Sequence, residues 1–279
     1  LLVSLFPLIV FANNDKKKHE KNRTIKKEFT VNANAKVAID NRYGNLNITT
    51  WNKNKVEIEV IITVKGDDLE AVEDKLSSIK IEFNANSSLV EAETIFGNQK
   101  NNCSWWKKCE NLNYKINYIV KMPKTNSVDL DNDYGAIYLD NLNGKAVINC
   151  DYGKINIGEL SANNNRINLE YCSSSNISYM KSGDVNIDYS KLTIDNSEKI
   201  RVNADYSTVK LDKTKDLDFN CDYGSIYVNY ADAISGNADY VSMRFGTINK
   251  NLNIDTDYGG LTVKNLANGF ENVIITGQY

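Results

Sequence analysis

Acidic side chains recur at nearly constant spacing through the second half of this chain: Asp133, Asp151, Glu170, Asp188, Asp205, Asp222, Asp239 and Asp257. Each is followed at once by a tyrosine, and two residues before each acid stands Asn or Asp. Hard oxygen donors in a repeating array are what calcium selects. Asp133, Asp151, Asp188, Asp205, Asp222, Asp239 and Asp257 are therefore candidate calcium ligands, with the Asn/Asp column as a source of further oxygens. Capping is the competing chemistry: an Asp beside a turn accepts hydrogen bonds from corner N–H groups without any metal. Solvent and residues such as Lys154 and Lys191 would then screen the charge. The Gly-Gly-x-Gly-x-Asp nonapeptide of calcium-binding solenoids does not occur. Two carboxylates one strand spacing apart repel by about 0.9 kcal/mol even in water, so a column of them calls for an offset.

A second cluster lies in Asn101-Asn102-Cys103-Ser104-Trp105-Trp106-Lys107-Lys108-Cys109. Cys103 and Cys109 are a candidate disulfide if the chain is exported. Trp105 and Trp106, beside Lys107 and Lys108, have the character of a contact for a glycan, a protein or a membrane surface. The alternative is a hairpin tip that folds its Trp pair onto its own domain. Catalysis finds little to work with. His19 is the single histidine, which argues against a Ser-His-Asp enzyme and a His-rich metal site. The acids follow the repeat, and Arg166, Arg201 and Arg244 are its few arginines, unlike the irregular cleft of a polysaccharide-cleaving β-helix. A hydrophobic content of 42% excludes a disordered chain, and a net charge of −3 does not suit a nucleic-acid binder.

The elements that position these residues follow from the repeat. Tyr134, Tyr152, Tyr171, Tyr189, Tyr206, Tyr223, Tyr240 and Tyr258 stand 17–19 residues apart. Apolar residues alternate before each tyrosine (Leu130, Ile148, Ile167, Val185, Val202, Phe219, Ile254) and after it (Ile137 and Leu139, Ile155 and Ile157, Val209 and Leu211). Alternation means strands, and a phase slip just after the Tyr, with Gly135, Gly153, Gly224, Gly259, Ser190 or Ser207, means a corner. Two short strands and two bends per coil predict an all-β fold, a parallel β-solenoid with 17–19-residue coils. Gly236 breaks the apolar column, and the coil of Tyr171, with Cys172 at its corner and Ser174 in an apolar slot, predicts a bulge.

Counted by parity, the tyrosines face inward beside the corner, with an outward row that stacks on sugar rings as the alternative. Stacked coils let Asn side chains form ladders, which accounts for 41 Asn in 279 residues, and the 2 Pro fit uninterrupted sheets. Cys150 and Cys221 fall on inward positions four coils apart, out of disulfide reach, and Cys172 has no evident partner.

Upstream, residues 1–12 read as a signal peptide and residues 13–28, with a net charge of +4, as a solvated linker. Residues 29–126 read as a β-rich region, with a first coil at Asp40–Ile48 and a sandwich-like antiparallel insertion holding one short helix near Asp67–Leu76. This region is predicted to cap the solenoid, whose residues are 127–279. The sequence reads as a fragment at both ends, since it starts without Met and stops part-way into a repeat.

The segments Arg42–Ile48 (RYGNLNI) and Asp133–Leu139 (DYGAIYL), the excursion ending in Met122-Pro123, and the YG-x-[IL]-x-[IVL] repeats resemble the putative adhesin family of bacterial envelope proteins. The resemblance spans about residues 29–279 and implies a β-solenoid and an adhesive role. It supplies no functional residues. The expected protein is an exported bacterial module of the periplasm, outer surface or medium, non-enzymatic, that binds a surface glycan or protein through repeated weak contacts. A structural or self-assembling envelope scaffold, extended through the solenoid end, is the alternative, and a polysaccharide-active enzyme comes third. Neither nucleic acid nor a transmembrane span is expected.

Overall fold

The computed structural model describes residues 17–97 and 111–278. The signal-peptide reading, the Cys103–Cys109 pair, Trp105, Trp106, Lys107 and Lys108 lie outside the described residues. Chain order begins β1 (His19–Thr30), β2 (Lys36–Arg42), β3 (Leu46–Trp51), β4 (Lys55–Gly66), α1 (Leu69–Ser78), β5 (Ile79–Asn86), β6 (Leu89–Phe96) and β7 (Asn113–Pro123). The solenoid strands follow: β8 (Ser127–Asp133), β9 (Ala136–Leu139), β10 (Ala146–Asp151), β11 (Lys154–Leu160), β12 (Asn165–Glu170), β13 (Ser175–Asp188), β14 (Lys191–Asp205) and β15 (Thr208–Asp222). They end with β16 (Ser225–Asp239), β17 (Ser242–Asp257), β18 (Gly260–Leu266) and β19 (Asn272–Thr276).

The expected parallel β-solenoid is the fold. Like residues pair with like across neighbouring coils: Asp133 with Asp151, Glu170 with Asp188, and Asp222 with Asp239. From β13 to β17 the strand that leaves one tyrosine and the strand that reaches the next are a single strand of 14–16 residues, bent over the far edge. At the tyrosine edge the chain turns sharply instead. The apolar column points into one continuous core, with Ile148, Ile167, Val185, Val202 and Ile254 fully excluded from water. Gly236 breaks that column because the ring of Phe219 fills its place: a Cβ there would lie 2.5 Å from the ring.

The N-terminal region builds one further coil out of sequence order. β6 pairs in parallel with β2, and β7 with β3, so these two strands stack ahead of the first tyrosine coil. Their free edges are closed by antiparallel partners, β5 on β6 and β4 on β7, and β1 lies outside β4. Asp68 caps α1 by accepting a hydrogen bond from the Ala71 N–H. Residues 19–28, expected as linker, are instead part of strand β1. Ile25 and Phe29 pack on the core, and the lysines and glutamates around them leave a charged outer edge that resists further strand addition. Two buried Asn, Asn41 and Asn132, bond to each other at 2.9 Å, and Thr94 donates to Asn41 at 3.0 Å. This chain of bonds extends to the buried Tyr118 hydroxyl, 2.8 Å from Thr94.

Candidate functional site

The expected inward tyrosines point outward. Each of Tyr43, Tyr134, Tyr152, Tyr171, Tyr189, Tyr206, Tyr223, Tyr240 and Tyr258 has a φ between 49 and 61. Parity counting assumes an unbroken pleat. A left-handed residue swings its side chain out of that pleat, so the tyrosine and not the glycine after it makes the corner. The cost is roughly 1–2 kcal/mol for an L-residue, and bulky residues are rare there. The following glycine serves close approach: a Cβ on Gly135 would lie 1.7 Å from the Gly44 carbonyl oxygen.

The rings form one stack. Successive centroids are 4.9–5.2 Å apart and the planes lie within 9° of parallel from Tyr43 to Tyr258. Touching planes sit about 3.5–4 Å apart, so parallel rings at this separation are offset like shingles. Eight such steps make a row about 40 Å long. Exposure runs from 38% at Tyr43 to 61% at Tyr258, so ring edges and hydroxyls face solvent along the whole row. Phe96 and Tyr114 close the Tyr43 end edge-on, and the Lys75 ammonium lies 4.5 Å from the Tyr114 ring centroid. Desolvation first, then neighbouring tyrosines, hold the Tyr152 and Tyr189 phenols above their ordinary titration range.

The carboxylate column runs beside this row in single file. Its members neither cap the corners as a rule nor gather around a point. The Tyr134, Tyr189, Tyr206 and Tyr223 N–H groups donate to the backbone carbonyls of the acids in the next coil, and among described residues only Asp257 accepts a corner bond, from Gln278 N–H. No group of three or more His, Cys, Asp or Glu among the described residues is placed to hold a metal ion. A calcium ion on Asp133, Asp151, Asp188, Asp205, Asp222, Asp239 or Asp257 would therefore have to draw on Asn oxygens of the neighbouring column, or on the second carboxylate that Asp131 and Asp255 supply in the coils of Tyr134 and Tyr258. Arg42 pairs with Asp133 at 3.2 Å. Desolvation, then the carboxylates of adjacent coils, raise the titration of Asp151 and Asp222.

The Asn column behaves as expected. Asn203 donates to Asn186 at 2.7 Å, Asn186 to Asn168 at 2.8 Å and Asn168 to Asn149 at 2.7 Å. The bulge expected in the coil of Tyr171 is an inserted residue. Ser174 takes a φ of 57 and Ser175 turns inward to accept from the Ile155 N–H, so that Ile177 and not Asn176 pairs with Ile157.

The fold and edge together define a class: a capped parallel β-solenoid that carries an exposed aromatic row with an acidic column alongside. No family model and no curated protein matches this sequence. Solved structures do. One, described as a putative adhesin from Parabacteroides distasonis, is 12% identical, with 92% of this chain and 97% of that one covered and a TM-score of 0.33. A putative lipid binding protein from the same organism is 11% identical, with 91% and 95% covered and a TM-score of 0.38. A putative cell adhesion protein from Clostridium sporogenes is 11% identical, with 92% and 100% covered and a TM-score of 0.21. No helix of the described residues is long and apolar enough to cross a membrane.

Proposed function

We propose that the chain is an exported, non-enzymatic surface-interaction module of the adhesin kind, and that the tyrosine edge is its contact strip. The observation that carries this is the exposed nine-tyrosine stack. Stacking within the row offsets the strain of the left-handed corners, and it leaves the hydroxyls and outer edges of nine half-exposed rings open to a partner. An identical contact every 5 Å along a straight rigid edge suits an extended polymer better than a globular surface, which touches a few positions at a time. A surface glycan is the fitting partner class: the exposed ring edges, the positive part of the aromatic quadrupole, meet sugar oxygens, phenol hydroxyls donate and accept hydrogen bonds, and flanking carboxylates accept them from sugar hydroxyls. Adhesion also appears in the names of similar structures. The proposal rests on the edge and not on those names.

The test is binding of the folded chain to a glycan array and to intact bacterial cells, compared with the triple variant Tyr189→Asn/Tyr206→Asn/Tyr223→Asn. Asn tolerates the left-handed corner, so the coil survives while the middle of the row loses its rings. Loss of at least tenfold in apparent affinity, with an unchanged far-UV spectrum, is expected. Equal binding by the triple variant moves the contact elsewhere. Trp105→Ala/Trp106→Ala runs alongside, because the Cys103–Cys109 loop is the other proposed contact.

A further inference from the structure

Cysteines 150 and 172 are unpartnered when coils are counted along one column. The solenoid brings together two different columns. The residue just after each tyrosine meets the residue two before the tyrosine of the preceding coil: Ser190 donates to the Leu169 carbonyl at 3.4 Å and Ser207 to the Ile187 carbonyl at 3.1 Å. Cys172 holds the same relation to Cys150. Its Sγ donates to the Cys150 carbonyl at 3.0 Å, which brings the Cys172 sulfur against the Cys150 residue itself. Both are buried. Cys221 is the remaining cysteine among the described residues, and the matching position of the next coil is Val241. The repeat thus supplies this juxtaposition at every corner, and in one of them both places are cysteine.

We infer that Cys150 and Cys172 are a disulfide site that staples the coil of Tyr152 to the coil of Tyr171. Export, proposed above, would supply the oxidising setting, but the chemistry needs only a small-molecule disulfide. The Cys172 thiolate attacks one sulfur of that disulfide and expels one thiolate. Cys150, once deprotonated, attacks the Cys172 sulfur of the mixed disulfide and expels the second. Two protein thiols are oxidised by two electrons, the oxidant is reduced to two thiols, and each leaving thiolate takes one of the two protons. Burial makes the exchange a folding-stage event or one gated by local opening of the corner.

Refolding of the full chain in a buffer of oxidised and reduced glutathione, followed by alkylation under denaturing conditions and non-reducing peptide mapping, tests the site. A cross-linked peptide pair joining Cys150 to Cys172 is expected, two hydrogens lighter than the reduced pair, with Cys221 alkylated throughout. The bridge closes a loop of 22 residues, so the oxidised chain should melt about 5–10 °C above the reduced one. Cys172→Ser keeps the hydroxyl that Ser190 and Ser207 carry at equivalent corners and should fold, yet in a Cys103→Ser/Cys109→Ser background, where no other candidate pair is left, its melting point should no longer respond to glutathione while that of the background chain does. Alkylation of Cys150 and Cys172 to the same extent as Cys221 in the oxidised sample overturns the site. That outcome leaves the tyrosine edge and the question of export untouched.

Discussion

The left-handed corner makes an unusual demand at Tyr206, where Gly should outperform Ala. Replacing this tyrosine by Ala removes contacts with Tyr189 and Tyr223, both at 5.0 Å and parallel within 4°. An offset pair contributes about 0.5–1.5 kcal/mol, so the loss is about 1–3 kcal/mol. The backbone stays at a φ near 49 with a Cβ still attached. Gly loses the same contacts but sheds a strain of roughly 1–2 kcal/mol, against about 0.5–1 kcal/mol of extra chain entropy to fix. Tyr206→Gly is therefore expected to exceed Tyr206→Ala in stability by about 0.5–1 kcal/mol, the reverse of their order inside an ordinary strand. Urea unfolding followed by far-UV circular dichroism measures the difference at equal slope, and thermal melts should separate the variants by about 1–4 °C. An Ala variant as stable as the Gly variant, or more so, would refute the left-handed corner in solution.

Two further outcomes concern the acids. The folded-state titration of Asp222 is raised above the ordinary 3.8 by desolvation, then by Asp205 and Asp239. The folded chain therefore holds that proton more tightly than the unfolded one, and the destabilisation present at neutral pH is withdrawn as pH falls through the raised value toward 3.8. Asp222→Asn should melt higher than wild type at pH 7 in low salt, with the gap closing near pH 4 and in high salt; a gap that ignores pH and salt would not be electrostatic. Melting in calcium and in chelator should coincide, since no three acidic side chains of the described residues converge on one point; a calcium-dependent rise would show that adjacent coils do assemble a site.

The architecture was legible because the repeat writes itself in columns. Leu130, Ile148 and Ile167 announce the inner face, and Asn149, Asn168 and Asn186 announce a ladder, each needing only the strand period and the stacking of coils. Parity failed at the tyrosines, since one left-handed residue per coil reverses the side to which that residue points and leaves the flanking alternation intact. The coil built by β6 and β7 lacks the Asp-Tyr pair altogether, and its two halves are separated by residues 97–112, so no spacing could reveal it. Strand β1 was masked by its charge: Ile25 and Phe29 are too few apolar residues to register as alternation. The meeting of Cys150 and Cys172 depends on which columns touch across the corner, a property of the turn and not of the period.

Because each coil from β13 to β17 touches little beyond the coil on either side, the chain can change length in whole coils. Excising Ser190 through Tyr206 would join Tyr189 directly to Ser207, in the setting that Ser190 occupied, and would shorten the row by a single ring. Duplication of the same segment would lengthen it by one. Reach is thereby an inheritable, stepwise variable, set by the number of coils and not by the design of any of them.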